Sequence, residues 1–212
     1  MNETMVTRLD VLRASRREDA GWEASYQEIL STLNREGFLS QVLRAGEVFP
    51  DFMLPSAEGR LVGLRESLAL GPVVLGFFRG AWCPFCKIVL EALAENLPGI
   101  EAAGARMFAL TPETGGLAMA LKTRHQARFE VLADVDFGVG LAAGVVFRIP
   151  PLYQARVEAA GLDFPQRHGN GAWCLPVPAI FVIAPDGRIA ARFMDVDFSR
   201  RASEIIAAIG RV

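Results

Sequence analysis

Two cysteines three residues apart, Cys83 and Cys86, are the residues best suited to chemistry in this chain. They lie in the segment VVLGFFRGAWCPFCKIVLEAL, residues 73–93. The apolar run at 73–78 predicts a buried strand, and a helical pattern begins at about Pro84. A Cys-x-x-Cys between a strand and a helix is typical of a redox-active thiol pair. Two buried cysteines that happen to be close together are the alternative.

The start of a helix changes the chemistry of a thiol placed there. The first turn carries unpaired N–H groups and the positive end of the helix dipole, and both favour a thiolate. We therefore expect a lowered pKa and a raised reactivity. The spacing also brings both sulfurs to one side of a helical turn, where they can bridge. Cys83 precedes the first turn, which favours it as the more exposed thiol and the first nucleophile.

The composition excludes several classes of protein. The chain has 212 residues, of which 51% are hydrophobic, so one domain with a well-filled core is expected. The net charge of −2 and the absence of a basic cluster beyond two arginine pairs argue against nucleic-acid binding. No apolar stretch reaches the roughly 18 residues of a spanning helix, and the first residues lack a signal core. Three cysteines in a chain of this length fit a reducing compartment, so we predict a cytoplasmic protein.

Residues 1–45 form a unit distinct from residues 46–212. Trp22, Tyr26, Ile29, Leu30 and Leu33 recur at helical spacing, and Gly37 is a suitable stop. We predict an N-terminal helical extension that packs on the main domain or on a partner subunit in a homodimer. In either position it could cover the site.

The rest of the chain alternates between strands and helices. A hairpin is predicted around residues 56–60. The further predicted strands are 73–78, 106–110, 129–132, 179–183 and 189–194. The predicted helices are 84–97, one from Thr111-Pro112-Glu113 to Arg128, 136–143, and a last one that Ser199 caps. Residues 144–176 interrupt this alternation with several prolines and glycines and predict a functional or interaction loop with a short helix at 151–160. The order predicts an α/β fold with a mixed sheet between helices.

Three segments of the chain resemble a known superfamily. They are the Gly46…Phe49-Pro50-Asp51-Phe52 entry, the run from Phe77 to Cys86, and Phe181-Val182-Ile183-Ala184-Pro185-Asp186-Gly187. Residues 45–210 resemble the thioredoxin fold, and more closely the peroxiredoxin-like branch, the alkyl hydroperoxide reductase C and thiol-specific antioxidant superfamily. The resemblance implies a thioredoxin-like central mixed sheet flanked by helices, and reduction of hydroperoxides by a thiol.

The active-site residues depart from the usual peroxiredoxin pattern. Peroxiredoxins carry P-x-x-x-T-x-x-C, whose cysteine attacks the peroxide. On this chain that cysteine falls on Cys86, the threonine on Cys83 and the proline on Arg79, while the family's later arginine falls at about Pro178. Trp82-Cys83-x-x-Cys86 and the Val177-Pro178 step resemble thioredoxins instead, which implies a cis Pro178 facing the disulfide.

The resemblance leaves two assignments of the thiols open. In the thioredoxin-like assignment Cys83 attacks a protein disulfide and Cys86 resolves the mixed disulfide. In the peroxiredoxin-like assignment Cys86 attacks a hydroperoxide, and Cys83 condenses with the resulting sulfenic acid. Both end at a Cys83–Cys86 disulfide that an external thiol reductant, thioredoxin- or glutathione-like, must reopen. Neither requires a cofactor.

Residues near the thiols have candidate supporting roles. Arg79 can hold a thiolate or a peroxide anion, with a solvated loop arginine as the alternative. Trp82 is expected to pack beside the thiols, and Pro84 to occupy the first helical position. Cys174 precedes Pro178 by four residues and is either a further resolving thiol or a buried structural cysteine.

Other kinds of function have less support. A structural zinc site needs four ligands, and the chain offers only Cys83, Cys86, Cys174, His125 and His168, without a second ligand pair at zinc spacing. We therefore predict no metal. The motifs of serine hydrolases and nucleotide-binding loops are absent. A non-enzymatic interaction protein on a redox fold is the remaining alternative, and thiols inert to mild oxidant would favour it.

Overall fold

The structure is a computed structural model that describes residues 3–114 and 116–194. Its helices are α1 (Glu3–Glu18), α2 (Ala20–Arg35), α3 (Phe38–Gln41), α4 (Leu64–Leu68), α5 (Pro84–Ala102), α6 (Gly116–Arg124), α7 (Gly138–Ala142), α8 (Pro151–Ala159) and α9 (Phe164–His168). Its strands are β1 (Met53–Pro55), β2 (Leu61–Gly63), β3 (Val73–Phe77), β4 (Arg106–Thr111), β5 (Glu130–Ala133), β6 (Val146–Arg148), β7 (Cys174–Pro176), β8 (Ala179–Ile183) and β9 (Ile189–Met194).

The central sheet has the strand order β5-β4-β3-β8-β9. β3 runs parallel to β4 and antiparallel to β8, with Leu75 opposite Phe108 on one side and Phe181 on the other. β5 extends the parallel half and β9 the antiparallel half. This mixed sheet, flanked by helices, confirms the predicted α/β architecture. The predicted hairpin is also present, since β1 pairs with β2.

β3 is the middle strand, and all five of its residues are buried. Its side chains alternate between two cores, so that Leu75 and Phe77 join one cluster and Val74 the other. A strand covered on both faces reads as a continuous apolar run, which is why 73–78 could be recognised in the sequence. Six residues separate the end of β3 from the start of α5, and α5 buries Leu90 and Leu93 in the same cluster as Val74.

The N-terminal helices lie on the main domain of the same chain. Leu12 of α1 packs against Ile88 and Ala92 of α5, and Arg8 pairs with Glu91 at 2.6 Å. The structure thus agrees with the first of the two predicted packing modes. The division of the chain at residue 45 and a homodimer contact remain predictions.

α2 is attached to α8 by both apolar and polar contacts. The Trp22 ring meets the edge of Tyr153, with 5.9 Å between ring centroids. Asp19 caps α2 by accepting hydrogen bonds from the first-turn N–H groups, and its other oxygen pairs with Arg156 at 2.6 Å. Glu28 accepts a hydrogen bond from the N–H of Leu152 at 3.0 Å. The extension is therefore fixed to the helix that opens the 144–176 region.

The helix after β4 begins later than predicted. Thr111 is the last residue of β4, and α6 starts at Gly116 rather than at the Thr111-Pro112-Glu113 step. The Glu113 side chain is fully buried and hydrogen-bonded away from the helix axis, and the Thr114 N–H donates to the Arg167 carbonyl. These contacts hold the segment extended. The helix also ends early, at Arg124, and Gln126 adopts a positive φ of 49°.

The 144–176 region is more ordered than the sequence predicted. Besides the expected helix α8 it contains α9, and its ends pair as β6 and β7 in a small antiparallel sheet. Period-2 patterns of three residues are too short to recognise. The predicted last helix, with Ser199, Ala202, Ile205, Ile206 and Ile209, lies outside the described residues. In the described part of the chain, no helix is long and apolar enough to cross a bilayer.

Replacing Trp22 by Ala tests the attachment of the extension. We expect the free energy of unfolding to fall by about 3 kcal/mol, because the ring loses its contact with Tyr153 and with the Arg156 guanidinium above it. Urea denaturation measures this. Val11→Ala, at a side chain 64% exposed, is the control and should change the value by less than about 0.5 kcal/mol. Equal, small losses in both variants would show that α2 contributes little.

Candidate functional site

Cys83 is the N-cap of α5, and Pro84 occupies the first helical position as predicted. The Cys83 sulfur accepts a hydrogen bond from the N–H of Cys86 at 3.4 Å, which satisfies one of the unpaired donors of the first turn. The Cys83 carbonyl accepts from the N–H of Lys87 and so begins the helical ladder. The sequence therefore places the first sulfur at the positive end of a helix of 19 residues.

Both sulfurs are buried, and both cysteines are free thiols. Each side chain is only 2% exposed, so the prediction of an exposed Cys83 is wrong. The reason is that the loop after β3 turns Cys83 inward, into the apolar cluster that α5 forms with Val74 and Phe78. Position before a helix gives a residue free N–H neighbours but does not fix the side on which it lies.

The two thiols are electrostatically different. A hydrogen bond from the Cys86 thiol, with the charge of Arg79 and the N–H groups of Cys86 and Phe85, lowers the pKa of Cys83 to about 7 against the opposing effect of burial. Burial raises the pKa of Cys86 well above its usual range, and its hydrogen bond to Cys83 acts in the same direction. As the pH rises through about 7, the proton is therefore lost from Cys83 while Cys86 stays protonated.

Arg79 is half-buried and lies beside the thiols. Its main-chain N–H donates to the Cys86 sulfur at 3.4 Å, and its side-chain Nε donates to the carbonyl of Pro176 at 3.5 Å. Burial acts to lower the pKa of Arg79, but Tyr153, both cysteines and Tyr26 together raise it. Tyr26 belongs to α2, so the N-terminal extension reaches the electrostatic surroundings of the site.

We call residues 78–83, which carry the first thiol, the thiol loop, and Trp82 covers one side of it. Its Nε1 donates to the Arg79 carbonyl at 3.1 Å, which fixes the ring over the turn. The ring packs on Phe164 of α9 with 4.8 Å between centroids, and Phe164 in turn meets Trp173 at 5.8 Å. Trp82 is thus packed beside Cys83, in the place predicted for it.

The predicted cis peptide before Pro178 is not found, since the described residues contain no cis peptide bond. The Val177 N–H donates to the Val145 carbonyl at 2.7 Å and continues the β6–β7 pairing, so the chain enters β8 on an extended trans path. Val177 itself is buried. The structure joins this step to the thiols through the neighbouring Pro176 carbonyl, which accepts from Arg79.

Cys174 lies on β7, opposite Arg148 of β6. Burial raises the pKa of its thiol, an effect that the charge of Arg148 partly offsets. The structure places Cys174 outside the buried cluster that contains Cys83 and Cys86. Cys174 is half-buried, so it is not the buried structural cysteine of one alternative, and its role as a further resolving thiol stays a prediction.

Two charged residues that the sequence analysis did not select contact the thiol loop. Glu113 accepts a hydrogen bond from the Ala81 N–H at 2.7 Å and pairs with Arg167 of α9. The sequence signal was weak, because a glutamate after Thr-Pro is an ordinary helix start. Only the three-dimensional structure shows that residues 81, 113 and 167 meet.

His168, the next residue of α9, is fully buried between aromatic rings. Its imidazole stacks on Phe164 at 5.5 Å and meets the edge of Phe137 at 5.3 Å. Burial, with the charge of Arg167, lowers its pKa to about 4, so the ring is neutral at physiological pH. Within residues 3–114 and 116–194 no group of three or more His, Cys, Asp or Glu side chains could hold a metal ion.

Solved structures of peroxiredoxins share the fold of this chain. The structure of peroxidoxin BcpB from Mycobacterium tuberculosis superposes with a TM-score of 0.64 at 18% identity, over 80% of this chain and 98% of that one. Peroxiredoxin Q from Xanthomonas campestris gives 0.62 at 16% identity, over 80% and 96%. A yeast mitochondrial 1-Cys peroxiredoxin gives 0.59 at 18% identity, over 79% and 75%. At these identities the likeness shows the fold.

Sequence comparisons extend the likeness to the family. Peroxiredoxin bcp1 of Schizosaccharomyces pombe is 25% identical over 96 residues, which are 45% of this chain and 49% of that protein, so the match spans about half of its length. The AhpC/TSA family model matches residues 45–192, more than half of the chain and all of the site described above. The chain therefore belongs to the AhpC/TSA family.

Proposed function

We propose that the protein is a thiol-dependent peroxidase that reduces hydroperoxides through a reversible Cys83–Cys86 disulfide. The observation that carries the proposal is the pairing of an acidic thiol at a helix start with a protonated thiol one turn later. The thiolate is the nucleophilic form, and a neighbouring thiol is what a sulfenic acid needs to form a disulfide. Membership of the AhpC/TSA family supports the same activity.

The proposed cycle begins at Cys83. Its thiolate attacks the terminal oxygen of the hydroperoxide, the O–O bond breaks, and the leaving alkoxide takes a proton to become an alcohol or water. Sulfur is oxidised to a sulfenic acid and the peroxide is reduced. The Cys86 sulfur then displaces the hydroxyl group, and the Cys83–Cys86 disulfide forms with release of water. An external dithiol returns two electrons by thiol–disulfide exchange.

Arg79 and Trp82 support this step. The positive charge of Arg79 stabilises the thiolate before attack and is available to the oxygen that becomes negative as the O–O bond breaks. Trp82, held over the turn by its hydrogen bond to Arg79, limits water at the sulfur. Val177 and Pro178 directly follow Pro176, whose carbonyl accepts a hydrogen bond from the Arg79 Nε.

Relatives suggest the oxidising and reducing substrates. A Xanthomonas campestris relative is described by its alkyl peroxide reduction activity. For a yeast mitochondrial relative, the described mechanism resolves the thiol by means of the glutathione and thioredoxin systems. We propose the same classes here, a small hydroperoxide and a thioredoxin- or glutathione-like reductant, in a reducing cytoplasmic compartment. A homodimer remains part of the proposal.

The thioredoxin-like alternative uses the same first nucleophile. A low-pKa first cysteine in Trp-Cys-x-x-Cys is what protein disulfide exchange requires. Against it stands the 2% exposure of Cys83, because a protein disulfide must reach the sulfur in line, whereas a hydroperoxide is a far smaller molecule. Attack by Cys86, the family position, is favoured by the Arg79 N–H on its sulfur and opposed by its raised pKa.

Stopped-flow oxidation by hydrogen peroxide tests the proposal, with tryptophan fluorescence as the signal from Trp82. We expect fast oxidation of the reduced protein and of Cys86→Ser, which should stop at the sulfenic acid, and a loss of at least about a hundredfold in Cys83→Ser because no thiolate remains to attack. Cys174→Ser is the matched control and should behave as the unchanged protein.

The opposite pattern would be equally clear. Oxidation that survives Cys83→Ser and disappears in Cys86→Ser would make Cys86 the attacking residue. Slow reaction with peroxide, combined with fast Cys83-dependent exchange against a protein disulfide, would replace the peroxidase by a disulfide oxidoreductase.

The pH dependence of the thiolate is a separate prediction. Thiolate ultraviolet absorbance in the reduced protein should rise through a midpoint near pH 7, and the rate constant with peroxide should rise with it and then level off. In Cys86→Ala the midpoint should move upward, because the hydrogen bond from the Cys86 thiol is the largest contribution to the lowered pKa. Cys86→Ser keeps a hydroxyl donor and should lie between the two. A first midpoint near the ordinary cysteine value of about 8.5 would contradict the assignment of Cys83 as the thiolate.

A further inference from the structure

We infer that Glu113 and Arg167 form a positioning pair that fixes the loop carrying Cys83 by holding the main-chain N–H of Ala81. The inference rests on the proposed function, since it assigns the pair a part in preparing that nucleophile. Neither residue touches the reacting sulfurs, so both are positioning residues.

The two oxygens of Glu113 have separate partners. One accepts from the Nε of Arg167 at 2.8 Å and also contacts its Nη2, a side-on arrangement that uses two donors of the guanidinium. The other accepts from the Ala81 N–H at 2.7 Å. The Glu113 side chain is 0% exposed. A carboxylate in such a place is fixed in direction, because each lost hydrogen bond would leave a buried charge unsatisfied.

Gly80 shows how closely the carboxylate approaches the loop. A Cβ at this position would lie 2.4 Å from the Glu113 carboxyl carbon, and the backbone φ of +131° is one that other residues rarely adopt. The Gly80 carbonyl accepts from the Cys83 N–H at 3.2 Å and closes the turn. The carboxylate thus holds the loop by its hydrogen bond to the Ala81 N–H, within the same turn that orients the Cys83 sulfur.

α9 supplies the second residue of the positioning pair, Arg167. Asp163 caps this helix by accepting from the Gln166 N–H, and the Arg167 carbonyl accepts from the Thr114 N–H at 3.0 Å. Phe164, on the same helix, lies under Trp82. α9 therefore acts on two successive residues of the loop. The Phe164 ring packs on Trp82, and Arg167 reaches the Ala81 N–H by way of Glu113. These contacts give the 144–176 region a part in the site.

A buried ion pair is weak support for stability, because desolvation of two charges offsets their attraction. Removal of both partners is often tolerated, whereas removal of one leaves an unpaired buried charge. The double replacement Glu113→Met/Arg167→Met therefore separates positioning from stability, because it removes the acceptor of the Ala81 N–H together with the buried charge. It leaves the net charge unchanged, so the electrostatic change at Cys83 is limited to the loss of one short, closely paired dipole.

The experiment compares this double variant with the unchanged protein and with Glu130→Met/Arg60→Met, which removes in the same way an ion pair whose arginine is 67% exposed. Thermal denaturation first identifies a temperature at which all three are folded. At that temperature the thiolate midpoint and the rate constant with hydrogen peroxide are measured. We expect a higher midpoint and a loss of about tenfold to a hundredfold in rate for the Glu113/Arg167 variant only, because the Cys86 N–H and the helix start no longer face the sulfur correctly.

Unchanged midpoint and rate in the folded double variant would overturn the inference and leave the pair a structural contact. If the double variant does not fold, Arg167→Lys decides, since it keeps the charge but loses the planar fork. A loss of severalfold in rate with a raised midpoint supports positioning, and unchanged values overturn it. A protein that titrates as expected but does not react with peroxide would refute the proposed peroxidase, while the midpoint shift would still test the positioning pair.

Discussion

The burial of the Cys83 sulfur at the start of α5 is the constraint on which the rest of this site depends. A thiolate removed from water is costly, and here it is tolerated because Cys86, the start of α5 and Arg79 all present positive or hydrogen-bonding groups to Cys83. Every one of these groups must be held in place by something else. The central strand β3 fixes where the loop begins, α5 fixes where it ends, and α9 and the segment after β4 hold it from the side.

The same constraint accounts for the crowding of charged and aromatic groups around one short loop. Arg79 lies beside the thiols, whose charge helps to raise its pKa. The Pro176 carbonyl orients its side chain, and this contact ties the site to β7. Tyr26 and Tyr153 act on the same arginine from α2 and α8, the two helices that the Asp19–Arg156 pair fastens together. A segment that could be mistaken for an appendage to the family fold therefore borders the groups that tune the nucleophile.

The sequence predicted the parts of the fold whose signal is local. The buried run at 73–78, the helix after Pro84 and the Cys-x-x-Cys between them depend on period and on residue type within a short window, and the structure agrees with them. The errors arose where distant residues decide. Glu113 follows a Thr-Pro step and so resembles a helix start. In the structure its carboxylate instead accepts hydrogen bonds from Arg167 and from the Ala81 N–H. Pro178 follows a residue whose N–H is engaged by Val145, and Cys83 turns into a core that no local pattern reveals.

The burial of His168 has a consequence for behaviour in acid. The ring resists protonation in the folded protein until about pH 4, whereas in an unfolded chain it takes up a proton near its ordinary pKa of 6.5. The unfolded state therefore binds more protons across that interval, and folding stability declines as the pH falls through it, with no further loss from this group below about 4. Because the imidazole stacks on Phe164, which packs on Trp82, protonation of this ring would act on the helix beside the thiol loop. Exposure to an acidic compartment would thus disturb the redox centre through a residue that takes no part in its chemistry.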